Sequence, residues 1–541
     1  MNMGIKSLFK SEQKTIGRAT FVIAIFIVLS RLLGLIRNRL LASTFGPTAE
    51  LDIYFASFKI PDLIFSLILA GGVLVSLLPL FSDYYKKNKA QAFKLVNSII
   101  NIFLIALLFI AFFFFIFTPS LVNLLLGGLS LEYIPLAIGI TRLLFLSVFF
   151  LGLSSIFSTI TNYFNRFLIY SLAPVLYNIS IILGIIFLSP EIGILGPVIG
   201  VIIGAFLHFF IQFLCSLKYG YKYKFEIDIH LKGVKDFFKL LFPRIIGAGA
   251  GQLNLLVITA IASLIAEGAI TFFNFADEIR LLPVGLIGIS FGTAVFPHLS
   301  KSIINNDLKE FSLNLKRVIQ SILYLIIPIS ILTFLMRNLI VSIVLKTGAF
   351  SISAVEITGA CLGIFALSLI FQCLEPTLLR AFFSLKDTKT PALISLIFFL
   401  INLVLSLSFV ELLKSNIALN NFFMQLSHIK EPEHILLLAL VLAFNISLII
   451  DYWLLYYFLK KKIGALNLKQ STLKLFLACI PMTFVALITL KLFNNSLDSL
   501  FVNVIRFGTV TLFSFVTYFG FTRILKVEES RKILKQIKKL F

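Results

Sequence analysis

Residues 95–117 read LVNSIINIFLIALLFIAFFFFIF, with no charged side chain anywhere in the run. A helix needs about 20 apolar residues to cross a bilayer, and this stretch supplies them. The apolar character is continuous rather than alternating, so a β-barrel strand is excluded. Outward from this segment, comparable runs recur along the whole chain. Fourteen spans are expected, over residues 19–43, 52–81, 93–117, 133–159, 172–189, 193–217, 238–264, 271–298, 317–335, 353–383, 391–413, 434–459, 472–492 and 501–525. The expected fold class is therefore an all-α membrane protein.

Composition agrees with this reading. Of 541 residues, 59% are hydrophobic and 13% charged, with a mean hydropathy of +1.02. Soluble domains carry roughly 25% charged residues, so a water-soluble globular enzyme is excluded. Cys215, Cys361, Cys373 and Cys479 are scattered and form no CxxC pair, which indicates neither a disulfide framework nor a zinc site. The basic N-terminus ahead of Phe21–Leu29 resembles a signal peptide, but no small-residue cleavage site follows and Arg31 interrupts the run. It reads as the first span.

The 47 Lys and Arg outnumber the 25 Asp and Glu, for a net charge of +22. In a soluble chain that excess would suggest nucleic acid; here it sorts by topology. Alternate loops hold Lys86, Lys87 and Lys89, then Lys218, Lys222 and Lys224, then Lys301 and Lys309, then Lys386 and Lys389, then Lys460, Lys461 and Lys462. The short loops around 118–132, 189–193, 266–270 and 494–500 contain no Lys or Arg. Cations concentrate on the cytoplasmic side, so both termini are expected there. The basic segment Lys526–Phe541 either lies on the anionic inner leaflet or acts as a stop-transfer cluster.

The sequence also repeats. Leu77-Leu78-Pro79-Leu80-Phe81-Ser82 resembles Val295-Phe296-Pro297-His298-Leu299-Ser300 at an offset of 218, and the turn Leu124–Gly128 resembles Val344–Ala349. Six expected spans separate each pair, so the halves share one orientation. Two six-helix lobes related by an axis along the membrane normal are expected, over 1–220 and 221–465, with two further helices and the basic tail over 466–541. Repeats of this kind build transporters with the substrate path between the lobes.

Charged residues inside spans cost about 2.5–3.5 kcal/mol each on insertion scales, so each needs a partner or a wet cavity. The first two spans hold Arg31, Arg37, Arg39, Asp52, Lys59 and Asp62. On a straight helix Asp52 and Lys59 lie seven apart on one face, with Asp62 one turn on; Arg31 and Asn38 also share a face. The eighth span carries Asp277, Glu278 and Arg280, while Arg142, Arg166, Arg244, Glu375 and Arg380 lie near other span ends. Forked guanidinium donors match phosphate oxygens, so one reading is a cationic site for an anionic headgroup. The other is mutual neutralisation, of Lys59 by Asp62 or Asp52 and of Arg280 by Asp277. No GxxxxGK[ST], HExxH or GxSxG motif occurs, so ATP hydrolysis by a phosphate loop and the common hydrolase chemistries have no support.

Ser30-Arg31-Leu32-Leu33-Gly34-Leu35-Ile36-Arg37, Phe58-Lys59-Ile60-Pro61-Asp62, Leu172-Ala173-Pro174-Val175-Leu176-Tyr177-Asn178, Phe275-Ala276-Asp277 with Pro283, and Asp387-Thr388-Lys389-Thr390-Pro391 occur in this order. Together they resemble the MurJ (MviN) lipid II flippases of the MOP exporter superfamily, over essentially the whole chain. The resemblance implies fourteen helices, two lobes and a central cavity. It also implies alternating access that moves a polyprenyl-pyrophosphate-linked peptidoglycan precursor, lipid II, across the cytoplasmic (inner) membrane. On the matching positions it implies substrate contacts at Arg31, Arg37 and Lys59, joined by Arg280, and gating roles for Asn38, Asp52, Asp277 and Glu278. Two departures stand out: Phe65 occupies a position where many relatives carry a cavity arginine, and Glu278 one where they carry another, with Arg280 two residues on. Some relatives bind sodium with acidic and amide groups; Asn402 matches one of these, but Ile258 fills the acidic slot, so no metal is expected.

The expected function is lipid II translocation by a monomer without cofactor, with lipid II and anionic phospholipids as partners and no nucleic acid. A flippase for another polyprenyl-linked glycan is a second reading. A cation-coupled drug exporter would need an acidic cavity, whereas the first two spans are cationic. A membrane glycosyltransferase or ligase would need a catalytic carboxylate or a large extracellular loop, and neither is evident.

Overall fold

The computed structural model describes residues 16–68, 73–427, 429–493 and 499–531, without the side chains of 16–22, 24, 67, 68, 74, 75, 242–250 and 469. The Arg244 side chain and the tail beyond 531 thus lie outside the described residues. Every regular element among those described is helical. The first part of the chain forms α1 (Ile16–Phe45), α2 (Ala49–Ser57), α3 (Lys59–Ile68), α4 (Val73–Lys87), α5 (Lys89–Leu125), α6 (Ile134–Tyr163), α7 (Phe167–Leu183), α8 (Leu195–Lys218) and α9 (Lys232–Ser263). The rest forms α10 (Ala269–Pro283), α11 (Ser290–Ile304), α12 (Leu308–Leu335), α13 (Arg337–Leu345), α14 (Ile352–Ser384), α15 (Lys389–Ser415), α16 (Ile417–Ser427), α17 (Pro432–Ile463), α18 (Lys469–Leu492) and α19 (Leu500–Ile524).

Eleven helices among the described residues are long and apolar enough to cross a membrane. The other three expected spans coincide with α1, with the broken run α2 to α4, and with α9, whose apolar part is Gly251–Ser263. The chain divides into two compact units. One extends to Ile270 and takes in Thr347–Ala349; the other holds Thr271–Lys346 and the chain from Phe350.

In the first unit, helix breaks follow backbone chemistry. Pro61 has no amide hydrogen, so the Ser57 carbonyl lacks its helical donor, and α2 ends at Ser57 while α3 begins at Lys59. The expected Asp52–Lys59 stripe is therefore split between two helices. Elsewhere small residues bring helices together. Gly196, Gly200 and Gly204 recur four apart on α8. A Cβ on Gly200 would lie 2.7 Å from the Ser180 carbonyl oxygen, and one on Gly204 2.9 Å from that of Tyr177. Close backbone approach replaces the hydrophobic drive that lipid does not supply, and it fixes the Tyr177–Asn178 turn of α7. Gly200→Leu is expected to pry α7 from α8 and cost about 1–3 kcal/mol, the scale of overpacking, read as earlier unfolding in detergent. Unchanged unfolding would mean that the glycine does not set the crossing.

The asparagines inside the opening apolar run have distant partners. Tyr221 donates to Asn97 Oδ1 at 2.6 Å, and Asn97 donates to the Lys222 carbonyl at 3.1 Å. Tyr223 donates to Asn101 Oδ1 at 2.8 Å, and Asn101 donates to the Lys224 and Glu226 carbonyls at 3.0 and 2.9 Å. Lys94 closes the strap on Asp228 at 2.8 Å, and its hydrogen bond holds that carboxyl below the usual range. The segment between α8 and α9 is thus pinned along α5, with its Lys222, Lys224 and Glu226 carbonyls satisfied without a strand.

The second unit uses the same devices. A Cβ on Gly288 would meet the Cys373 carbonyl oxygen of α14 at 2.7 Å. Tyr518 of α19 donates to the Tyr324 carbonyl of α12 at 2.8 Å. At the start of α15, Asp387 accepts from Lys462 at 2.6 Å, from Thr390 N at 3.0 Å and from Thr390 Oγ1 at 2.7 Å. Burial raises that carboxyl, but these donors outweigh it and hold it at about 2.

Candidate functional site

The first unit gathers cations around α1. Ser30 and Arg37, two helical turns apart, both reach Asn178 on α7. Arg37 Nη1 donates to Asn178 Oδ1 at 3.3 Å, while Nε and Nη2 donate to Asn38 Oδ1 at 3.1 and 2.9 Å. Asn178 Nδ2 donates to Ser30 Oγ at 3.2 Å and to the Pro174 carbonyl at 3.1 Å, which turns its oxygen toward the guanidinium. Arg37 is half-buried and Arg31, nearly two turns back, is exposed. Arg37 and Asp62 both lie within electrostatic reach of Tyr177, and Lys59 within reach of Asp62. Tyr177 and Asn178 were visible in the sequence only as part of a motif; no local rule gave them a role, because their partners lie on α1.

A second cluster joins the ends of α1 and α9. The Ala49 amide donates to Glu267 Oε1 at 2.8 Å, and the Gly268 amide donates to Asp52 Oδ2 at 2.7 Å. Asp52 is fully buried. Two backbone donors at the turns before α2 and α10 thus receive carboxylates from each other's turn. The Ala349 amide donates to the Ser43 carbonyl at 2.9 Å. A Cβ on Gly348 would collide with the Ser43 carbonyl, and one on Gly128 with the Ser263 carbonyl. Ser43 and Ser263 are 220 residues apart, as are Gly128 and Gly348, so the repeat makes the same contact twice. This clasp, within the first unit, was not legible beforehand, although its four turns were.

In the second unit Arg280 is 7% exposed. Its Nε donates to Asp277 Oδ1 at 2.6 Å, Nη2 pairs with the same oxygen, and Nη1 donates to Gln372 Oε1 at 2.6 Å. The guanidinium also lies 4.6 Å from the Phe365 ring centre and 4.8 Å from that of Phe444. The two-residue displacement from the position of Glu278 thus turns this arginine into its own unit's interior. Glu278 is half-buried. Arg142 donates to the Phe115 carbonyl at 3.0 Å, and Arg380 lies over the Phe296 ring. Asn402 and Ile258 are both buried, and no three His, Cys, Asp or Glu among the described residues are grouped to hold a metal. All four cysteines are buried thiols.

The profile of the family described as "Lipid II flippase MurJ" matches residues 41–510. The chain belongs to the lipid II flippase MurJ family. It is similar to a "Probable lipid II flippase MurJ" of Buchnera aphidicola subsp. Schizaphis graminum, at 29% identity over 92% of this chain and 94% of that one. It also resembles the "Lipid II flippase MurJ" of Burkholderia cenocepacia, at 26% identity over 70% and 75%. Among solved structures, "Lipid II flippase MurJ, inward closed conformation" superposes with a TM-score of 0.75 and 28% identity, covering 93% of this chain and 99% of that one. A multidrug resistance MATE family transporter of the MOP superfamily shares the fold, with a TM-score of 0.62 at 14% identity over 83% of this chain and 100% of that one. MurJ membership and the apolar helices together make this a multi-pass membrane protein.

Proposed function

We propose that this chain carries lipid II, a polyprenyl pyrophosphate bearing a disaccharide-pentapeptide, from the inner to the outer leaflet of the cytoplasmic membrane by alternating access. The observation that carries the reading is the Arg37 guanidinium set between the Asn38 and Asn178 amide oxygens. Those amides aim a forked donor of the kind that matches phosphate oxygens. Arg31 and Lys59 add charge for the second phosphate. Arg280 is committed to Asp277 and Gln372, so its role here is to hold the second unit rather than to touch the substrate. No bond of the substrate is made or broken.

The sorting of lysines among loops puts both termini in the cytoplasm and the clasp on the outer side. Asp52, with its grip on the Gly268 amide, then serves as an outer closure that opens to release the headgroup, while Asn38 and Asp277 steer Arg37 and Arg280 respectively. The chain acts as a monomer in contact with anionic phospholipids. The test is Arg31→Ala with Arg37→Ala in cells depleted of their own flippase. Loss of rescue by a fully inserted double variant is expected, together with partial rescue by Arg37→Lys, which keeps the charge and loses the fork. Full rescue by the double variant would reject the binding role.

A further inference from the structure

A buried charged group in the second unit stands apart from the residues above. α14 and α17 pack side by side, Ser368 donating to Asn445 Oδ1 and the Phe371 and Tyr452 rings lying 5.1 Å apart. Glu375, one turn beyond Phe371, and Asp451, beside Tyr452, thereby come within electrostatic reach of each other, and Arg280 reaches Glu375. Asp451 is 6% exposed, and Glu375 is half-buried. Among the described residues neither makes a hydrogen bond or an ion pair, while Arg280 already serves Asp277 and Gln372. The other cations on the elements packed around the pair are engaged or distant: Arg337 of α13 lies against Gly363, twelve residues before Glu375, and donates to the Phe334 carbonyl at 3.1 Å, and Lys460, Lys461 and Lys462 lie at the end of α17. Arg380 turns to the Phe296 ring. Between Lys389 and Glu411 on α15, and from Val318 to Leu335 on α12, there is no charged residue; on α11, His298 and Lys301 lie in the last two turns. Arg280 thus pairs with Asp277 and reaches Glu375, while the charged neighbour of Asp451 is Glu375.

An uncompensated carboxylate in an apolar interior takes up a proton rather than remain charged, and two carboxylates sharing one site cannot both ionise. A metal ion would need several converging oxygen ligands, and no three acidic or imidazole groups converge among the described residues. A proton needs a single lone pair. The location adds consequence: Pro376 follows Glu375 and withholds the donor for the Gln372 carbonyl, so α14 is weakest beside the pair.

We propose that Glu375 and Asp451 form a proton-binding site inside the membrane-spanning part of the second unit. The proton comes from water and adds to a carboxylate oxygen; no other bond changes. Its loss restores repulsion between α14 and α17 at the proline.

The experiment is infrared titration of the full chain in lipid nanodiscs. A protonated-carboxyl band is expected at neutral pH, shifting down in heavy water, fading as pH rises and unmoved when sodium chloride replaces choline chloride. Asp451→Asn should delete it and Glu375→Gln should shift it. Should Asp451→Asn fail to fold, Asp451→Glu keeps the acid and should move the band instead. A wild-type protein without such a band, a band unchanged in every folded variant, or displacement by sodium would each overturn the proposal. The readout requires no transport, so its failure leaves the flippase reading untouched, and failed lipid II rescue leaves the band untouched.

Discussion

Arg280→Ala is expected to destabilise the protein by about 3–5 kcal/mol, the cost of removing one partner of a buried ion pair. The guanidinium is 7% exposed, donates to Asp277 at 2.6 Å and to Gln372 at 2.6 Å, and rests on two phenylalanine rings. Truncation leaves Asp277 charged and desolvated, orphans the Gln372 oxygen and opens a void beneath Phe365 and Phe444. Adding Asp277→Asn removes the stranded charge, so the double variant should recover part of the loss, a coupling that a mutant cycle measures. The measurement is unfolding of purified protein across a denaturing-detergent series. Equal stability of wild type and Arg280→Ala would show that the pair does not hold the unit together.

Gly348→Ala and Gly128→Ala are the second pair of large effects, because each puts a Cβ against a serine carbonyl of the same clasp. Gly348 has φ +55°, where a side chain costs roughly 1–2 kcal/mol. Its Cβ would also strike the Ser43 carbonyl, a backbone atom that cannot rotate away. Gly128 meets the Ser263 carbonyl in the same manner. Each substitution should loosen the clasp, and about 1.4 kcal/mol of loosening is a tenfold shift in the open fraction. A cysteine at Ser43, read against four buried native thiols, should then react about tenfold faster with a membrane-impermeant maleimide added outside intact cells. Unchanged labelling in both variants would show that these contacts close nothing.

Much of the architecture was open to reading because a bilayer imposes a local rule. The run at 95–117 lies inside α5, Lys89–Leu125, since twenty apolar residues in sequence suffice for a helix there whatever surrounds them. The split of the second span was encoded in Pro61, yet placing Asp52 and Lys59 on one face assumed a straight helix. For Arg280 the sequence left substrate contact and neutralisation open. Gln372, 92 residues away, adds a second partner to the guanidinium beside Asp277. Asn178 stood in a motif without a role for the same reason, its partner Arg37 being 141 residues distant.

Hydropathy and charge sorting by themselves determined an all-helical membrane chain, and the ordered motifs carried the MurJ resemblance, because each is a property of short windows of sequence. Which cations are engaged, which backbone donors receive a carboxylate and where acids crowd together was decided only by the tertiary structure. Those outcomes depend on helices hundreds of residues apart meeting at one depth, where scarce water makes each polar group settle with whatever partner packing delivers.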